Sequence, residues 1–289
     1  MQVRFGPAGN PDSFYQEGYK SSLDMPRWLA GKGLNAYEYQ CVRGVHIKEA
    51  TARKLGEAAR QCGVALSLHG PYYINLAATD PSIKAKTRRH FLDSLRAAHW
   101  MGARPVVFHP GGGSKADRAA AFRQARKNLT ELLAAAEDEG LGEIIVAPET
   151  MGKPTQLGNL EEILEFCTLG KQVVPAIDFG HLHAAGAGAL SGEEHFAAVL
   201  DRVEEVLGKE AVQCLHIHFS PVEFTSAGER RHRTTLDEGF GPDFTYLARQ
   251  IIKRDMSPTV ICESNGRQAE DAMVYQNILQ RVTGMGEGK

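Results

Sequence analysis

The sequence has few cysteines, no long apolar run and no excess of charge of one sign. Its 289 residues include five cysteines, which are widely spaced and form no CxxC pair. Because the cysteines are odd in number and scattered, they exclude a disulfide framework. Such cysteines are typical of a protein kept reduced in the cytoplasm. No apolar run approaches the roughly 20 residues that a membrane span needs, and no basic and apolar leader opens the chain. We therefore expect a cytoplasmic protein with no membrane partner.

The charge balance by itself gives no reason to expect a nucleic-acid partner. The formal net charge is -2 at pH 7, whereas nucleic-acid-binding proteins usually carry a basic face. Bound metal ions would add positive charge where a phosphate must lie, so a near-neutral chain does not exclude DNA. Hydrophobic residues make up 43% and charged residues 24% of the chain, which excludes disordered, collagen-like and coiled-coil proteins.

Short β-rich runs alternate with longer stretches of helical periodicity along the chain. These runs are Val3–Phe5, Ala36–Gln40, Val64–Leu68, Pro105–Phe108, Glu143–Ala147, Val173–Ile177, Val212–Ile217 and Thr259–Cys262. Eight β/α units predict an α/β protein, a parallel (β/α)8 TIM barrel in which residues 1–289 form one domain. A doubly wound sheet would normally have a glycine-rich phosphate turn after its first strand, and GPAG at residues 6–9 is not one. We expect the tail from about residue 283 to be flexible.

Residue types that bind metals follow six successive predicted strands. They are His69, His109, Glu149, Asp178, His216 and Glu263. Because the C-terminal ends of barrel strands converge on one face, these side chains should meet there. A single His or Glu after a strand is more often a cap or a surface residue, but six such residues on six strands indicate a site. Three imidazoles and three carboxylates suit zinc, manganese or iron better than magnesium.

The segments around these residues form an ordered series of motifs. They read HGPYYINL from His69, VFHPG around His109, PET around Glu149, DFGH from Asp178, LHI around His216 and CES around Glu263. In this order and spacing, from about residue 64 to 265, they resemble the endonuclease IV family of abasic-site endonucleases, which are xylose-isomerase-like TIM barrels.

The resemblance implies a set of metal ligands. His69 and His109 would bind a first zinc, Asp178, His216 and Glu263 a second, and Glu149 would bridge the two. The family binds a third zinc, for which His181 and His232 match ligands. The resemblance thus implies two or three zinc ions, and manganese is an alternative with the same donor preference.

The third zinc site is where the chain departs from the family. In the segment GERRH, Arg230 occupies the position of the family's aspartate, and an arginine cannot bind a metal. Either Glu229 or His218 replaces the aspartate, or the third ion is absent and Arg230 binds a phosphate. The sequence favours neither alternative.

The implied activity is hydrolysis of the DNA phosphodiester 5′ to an abasic site, a step of base-excision repair. Glu149 and Glu263 would be the catalytic carboxylates, with Glu263 orienting the attacking water. The partner would be double-stranded DNA with abasic sites, bound by a monomer. The candidate DNA contacts are Tyr72, which could press against the sugar or an exposed base, and Arg230 and Arg231, which could hold phosphates. Arg43 loosely matches the family's groove-inserting arginine.

Two other functions fit part of the pattern. A sugar isomerase or epimerase of the xylose-isomerase-like barrels holds one divalent metal with Glu, Asp, His and Glu, and Glu149, Asp178, His216 and Glu263 match that set. Such an enzyme has no need of His69 and His109, whose motifs favour the nuclease. A non-catalytic barrel that binds damaged DNA is the third hypothesis, motivated by Arg230 at the third site.

Overall fold

The computed structural model describes residues 2–113 and 117–286 of the chain. Its barrel strands are β1 (Arg4–Pro7), β2 (Ala36–Gln40), β3 (Ala65–His69), β4 (Val106–Phe108), β5 (Val146–Pro148), β6 (Ala176–Asp178) and β7 (His216–Phe219), and, after a hairpin of β8 (Val222–Thr225) and β9 (Gly228–His232), β10 (Thr259–Cys262).

These parallel strands close into a barrel. One run of four strands is ordered β1-β10-β7-β6 and the other β2-β3-β4-β5. Parallel bridges join the two runs at both edges, from Ala8 to Glu38 and from Glu149 to Ala176. The predicted (β/α)8 TIM barrel is therefore confirmed, and its strand ends meet on one face.

Helices surround the barrel and return the chain from one strand to the next. They are α1 (Asp12–Gln16), α2 (Met25–Gly31), α3 (Glu49–Cys62), α4 (Pro81–Met101), α5 (Arg118–Asp138), α6 (Leu160–Cys167), α7 (Phe179–Ala185), α8 (Glu193–Leu207), α9 (Lys209–Gln213), α10 (Phe244–Lys253) and α11 (Gln268–Gly286), with a 3-10 turn at Ser22–Asp24. The Asp80 carboxylate caps α4 by accepting hydrogen bonds from the first-turn amides of Ser82 and Ile83. None of the described helices is long and apolar enough to cross a membrane.

The seventh barrel strand is displaced from its predicted position. The sequence predicts a strand at Val212–Ile217, but residues up to Gln213 belong to α9 and β7 covers His216–Phe219. The apolar residues Val212 and Leu215 are both buried, and their spacing of three suits one face of a helical turn. The prediction that His216 lies at the end of this strand is therefore wrong. His216 begins the strand and His218 lies farther along it.

The last helix reaches the tail of the chain. α11 extends to Gly286, so the tail expected to be flexible from about residue 283 begins within this helix, and its flexibility stays a prediction. Residues 287–289 lie outside the described residues. The fifth strand also starts later than predicted, at Val146 rather than Glu143.

The antiparallel hairpin of β8 and β9, which the sequence did not predict, lies between β7 and α10. Gly228 has φ +96, and a Cβ there would lie 2.3 Å from the carbonyl oxygen of Gly152. The Glu229 amide donates to that same carbonyl over 2.9 Å. This close approach, which requires glycine, fixes the hairpin against the loop after β5.

Candidate metal centre

A cavity of about 580 Å³ opens at the C-terminal ends of the barrel strands. The metal-ligating types that line it are His69, His109, His181, Glu229, His232 and Glu263. The cavity lies where active sites of this fold are built. The structure thus brings residues from β3, β4, the start of α7, the hairpin and the end of β10 to one place.

Glu149 lies at the centre of the cluster and is fully buried. Its Oε2 atom is 3.2 Å from Nε2 of His69 and 3.1 Å from Nε2 of His109. Its Oε1 atom is 3.0 Å from Nδ1 of His218 and 3.3 Å from Nδ1 of His181. The two oxygens therefore face different groups of imidazoles, an arrangement that would suit a carboxylate shared by two metal ions.

His218, and not His216, joins Glu149 in the second group of residues that could hold a metal ion. Ligand atoms of Glu149, Asp178, His218 and Glu263 all lie within 4.8 Å of one another. In the sheet register Asp178 is paired with His218, whereas His216 is paired with Ala176, two residues deeper in the barrel. The sequence favoured His216 as the ligand and ranked His218 below it. Because β7 is displaced along the chain, the structure instead places His218 level with Asp178 and His216 deeper in the barrel.

A third group of ligands surrounds His181. Ligand atoms of Asp178, His181, His232 and Glu263 lie within 4.8 Å of one another. Glu229 adds an oxygen 3.8 Å from Nε2 of His181 and another 4.0 Å from Nε2 of His232. Of the two replacements that the sequence left open at this site, Glu229 lies beside it.

Arg230 lies outside the cavity. Its side chain is 64% exposed and pairs with Glu223 over 2.6 Å. The cause is a bulge in the hairpin: Glu223 is paired with Arg231 and Phe224 with Glu229, so Arg230 is the extra residue between them. The bulge lets both Glu229 and His232 face the site. The assignment of Arg230 to the aspartate position of a metal site is therefore wrong.

The histidines have a hydrogen-bonding pattern typical of metal ligands. Nδ1 of His69 donates to the carbonyl oxygen of Gly70 over 2.9 Å, and Nδ1 of His181 donates to that of Thr150 over 2.9 Å. With Nδ1 of each ring engaged as a donor, Nε2 is the nitrogen that remains to bind a metal ion. Metal-binding histidines usually donate their second ring N–H to a carbonyl or carboxylate in this way.

The electrostatics of the centre indicate missing positive charge. The Oδ2 atom of Asp178 is buried and receives no hydrogen bond from the described residues. Burial, assisted by the charges of Glu263 and Glu149, raises the pKa of Asp178 to about 6. Burial also raises the pKa of Glu263, but the charge of His218 outweighs it and brings the pKa to about 2. A metal cation would supply positive charge beside the buried carboxylate of Asp178, so the residues fit metal ions.

Of the predicted DNA contacts, Tyr72 lines the cavity and the three arginines do not. Tyr72 is 59% exposed, and its ring centroid is 5.2 Å from that of His109. Arg230 and Arg231 are exposed on the hairpin, where both pair with Glu223. Arg43 is exposed in the loop after β2. Of this group Tyr72 alone lines the cavity as described.

Glu38, which lies beneath the cluster on β2, was not predicted from the sequence. Glu38 is fully buried and accepts hydrogen bonds from Ser67 Oγ over 2.9 Å and from His216 Nε2 over 2.9 Å. Burial raises its pKa, but the charge and hydrogen bonds of His218 and His216 outweigh it and hold the pKa well below the usual range. The feature that could have identified it in the sequence is a charged residue in the middle of the β-rich run Ala36–Gln40.

Comparison with known proteins places the chain among these barrels. The family model described as xylose isomerase-like TIM barrel matches residues 26–281. The chain is 35% identical over 264 residues to the uncharacterized protein MJ0133 of Methanocaldococcus jannaschii, covering 91% of this chain and 92% of that protein. It is 26% identical over 239 residues to the probable endonuclease 4 of Staphylococcus aureus, covering 76% of this chain and 77% of that protein.

Solved structures support the fold and include both nucleases and epimerases. Endonuclease IV from Thermus thermophilus superposes with a TM-score of 0.71 at 20% identity, covering 99% of this chain and all of that one. An L-ribulose 3-epimerase superposes with a TM-score of 0.72 at 13% identity, covering 99% of this chain and 97% of that one. By its sequence and its fold, the chain belongs to the family of xylose isomerase-like TIM barrels.

Proposed function

We propose that the protein is a metal-dependent endonuclease that hydrolyses the DNA phosphodiester 5′ to abasic sites. The observation that carries this proposal is the group of His69, His109 and Glu149, whose ligand atoms lie within 4.8 Å of one another. This group adjoins the ligands around Asp178 through the shared carboxylate of Glu149. An enzyme that uses a single metal has no need of it, whereas two ions can clamp the attacking and leaving oxygens of a phosphodiester.

The metal ions of this proposal are zinc, with manganese as an alternative. His69, His109 and Glu149 would hold one ion, and Glu149, Asp178, His218 and Glu263 another. Asp178, His181, His232 and Glu229 would hold a third. When bound, the ions supply positive charge and Lewis acidity beside the reacting phosphate.

The protein's own side chains would position the substrate and the attacking water. Glu263 lines the cavity with its side chain 15% exposed, so its carboxylate can accept a hydrogen bond from a water molecule and orient it. Tyr72 can pack against the deoxyribose, since its exposed ring forms part of the cavity wall. Arg231 and Arg230 can bind flanking phosphates from the hairpin.

The cavity is large enough for an abasic nucleotide that has turned out of the DNA duplex. At about 580 Å³ it lies within the roughly 300–1,000 Å³ of sites that enclose small ligands. An abasic sugar costs little to turn out of a duplex because it has no base to unstack or unpair. The relatives that bear the name endonuclease 4 also support this substrate.

The experiment that tests the proposal is cleavage of a duplex that carries one abasic site. Protein loaded with zinc or manganese should nick the strand on the 5′ side of the lesion, and chelated protein should not. The His109→Ala variant should lose roughly 100-fold or more of the nicking rate, since outer-shell partners of metal ligands already cost 10–100-fold. The matched control is His99→Ala, which removes an exposed imidazole near the end of α4 and should nick like the wild type.

A sugar epimerase is the second candidate, favoured by one specific observation. Glu149, Asp178, His218 and Glu263 together form a complete one-metal set of two Glu, one Asp and one His. In such enzymes the two glutamates move a proton beside a carbonyl group. Incubation of the manganese-loaded protein with ketohexoses tests this candidate. Epimerisation that survives His109→Ala, with no nicking of the abasic duplex, would replace the nuclease proposal.

A further inference from the structure

Glu38 lies one layer below the cavity and is not among the residues described as lining it. In the register of the sheet Glu38 pairs with Ser67. Gln40, two residues closer to the C-terminal end of the strand, pairs with His69. A carboxylate at this depth is costly unless donors surround it. Ser67 Oγ and His216 Nε2 each donate to its Oε2 atom over 2.9 Å.

His218 stands between Glu38 and the metal-ligating carboxylates. Its Nε2 atom is 3.1 Å from Glu38 Oε1. Its Nδ1 atom, on the other side of the ring, is 3.0 Å from Glu149 Oε1 and 3.5 Å from Glu263 Oε1. The ring is fully buried, so its two nitrogens have these carboxylates as neighbours rather than bulk water.

A neutral imidazole can offer a lone pair on one nitrogen only, because the other carries the proton. An ionised carboxylate accepts hydrogen bonds and cannot donate them. Glu38 can therefore be satisfied by His218 when the proton lies on Nε2. That tautomer leaves the lone pair of Nδ1 directed at Glu149 and Glu263, where a cation would be bound.

We propose that Glu38 is a positioning residue. It accepts a hydrogen bond from Nε2–H of His218 and so leaves the lone pair of Nδ1 to bind the metal. Ser67 and His216 hold the Glu38 carboxylate in place for this purpose. Glu38, His218 and the ion form a carboxylate–histidine–metal series, in which the outer carboxylate fixes the orientation of the ring and raises the basicity of the ligand. The inference rests on the metal centre of the proposed function, and it does not depend on which substrate is cut.

The same atoms offer a competing arrangement. Ligand atoms of Glu38, His216 and His218 lie within 4.8 Å of one another and could hold an ion of their own. That ion would bind Nε2 of His218, so that Nδ1 would carry the proton and donate it to Glu149. The two arrangements differ in which nitrogen of His218 meets the metal, and this difference is measurable.

Long-range proton–nitrogen NMR of the full-length protein loaded with zinc distinguishes them. The His218 signals are assigned by their loss in a His218→Gln variant. We expect zinc on Nδ1 and a proton on Nε2, and zinc on Nε2 of His218 or on His216 would overturn the proposal.

Substitution of Glu38 gives a second, independent readout. In Glu38→Gln we expect the affinity for one zinc ion, measured by competition with a chelator, to fall 10–100-fold while the other ions are unaffected. The visible spectrum of the cobalt-substituted protein should change as well, because the ligand field at that ion changes. Glu131→Gln, an exposed glutamate on α5, should match the wild type in both measurements.

Ser67→Ala keeps the test valid if Glu38→Gln does not fold. It removes one donor to Glu38, and we expect a smaller loss of zinc affinity, of a few-fold, at the same ion. Unchanged affinity and an unchanged cobalt spectrum in a folded Glu38→Gln protein would overturn the inference. A protein that binds zinc as described but leaves abasic DNA intact would instead refute the proposed nuclease.

Discussion

Glu229 places a carboxylate oxygen 3.8 Å from Nε2 of His181, on the side of the hairpin from which its neighbour Arg230 points away. The two residues are adjacent in sequence but differ in surroundings, since Glu229 is 15% exposed and Arg230 is 64% exposed. The bulge at Arg230 makes the difference, because it changes which side chains of β9 face the barrel.

Substitution of Glu229 should remove a metal ligand, whereas substitution of Arg230 should not. We expect Glu229→Gln to bind one zinc ion fewer than the wild type, measured by elemental analysis after gel filtration. Arg230→Gln is the matched control and should keep the full complement of zinc. Equal loss in the two variants would place Arg230 in the site after all.

His218 and His216 should differ sharply in their effect on metal binding. His218→Ala removes a ligand atom that lies 3.0 Å from Glu149, so the protein should lose one zinc ion and its activity. His216→Ala leaves the ligands of the cavity in place and removes one donor to Glu38. We expect it to keep the ion with affinity lowered by about 10-fold. Zinc titration in the presence of a competing chromophoric chelator measures both, and the reverse ranking would contradict this assignment.

Arg231 should contribute to DNA affinity through a phosphate. A protein that gives up one phosphate contact loses about one unit from the slope of log K against log salt. We expect Arg231→Gln to bind an abasic duplex more weakly, with the slope reduced by about one. Fluorescence anisotropy between low and moderate salt measures it. Arg60→Gln removes a similarly exposed arginine, which pairs with Glu57 near the end of α3, and should leave the slope unchanged.

Gly56 and Gly31 should respond in opposite directions to alanine. A Cβ on Gly56 would lie 2.3 Å from the carbonyl oxygen of Met101, so α3 and the end of α4 would have to separate. We expect Gly56→Ala to lower the free energy of unfolding by about 1–3 kcal/mol.

The matched control for this effect is Gly31 of α2, where a Cβ meets open space. Gly31→Ala should raise the free energy of unfolding by up to about 1 kcal/mol, because alanine favours a helix over glycine. Urea unfolding followed by circular dichroism gives both values. A stabilised Gly56→Ala protein would show that the two helices can move apart without cost.

Much of the fold and part of the site could be predicted from the sequence. The alternation of β-rich runs with helical periodicity indicates the barrel, and the barrel brings residues that follow different strands to one face. His69, His109, Glu149, Asp178 and Glu263 were found on this argument, since each lies at or directly after the end of a strand. Glu38 was not predicted because it lies in the middle of β2 rather than at the end of the strand.

The choice between His216 and His218 could not be made from the pattern. Residues two apart on a strand point to the same side, so alternation predicts that both histidines face the barrel interior without saying how deep each lies. The pairing of His218 with Asp178 sets the depth. The chain passes from α9 into β7 through Val212 and Leu215, which both pack in the core.

Periodicity and residue chemistry are local properties of the chain, so they were enough to predict the barrel and the metal-binding residue types at its mouth. The tertiary structure alone decided that Glu229 faces the cavity while Arg230 does not, and that His218 lies between Glu38 and Glu149. These outcomes depend on a hairpin bulge and on the register between neighbouring strands. Both are set by pairing between segments that are distant in sequence, and no local pattern encodes that pairing.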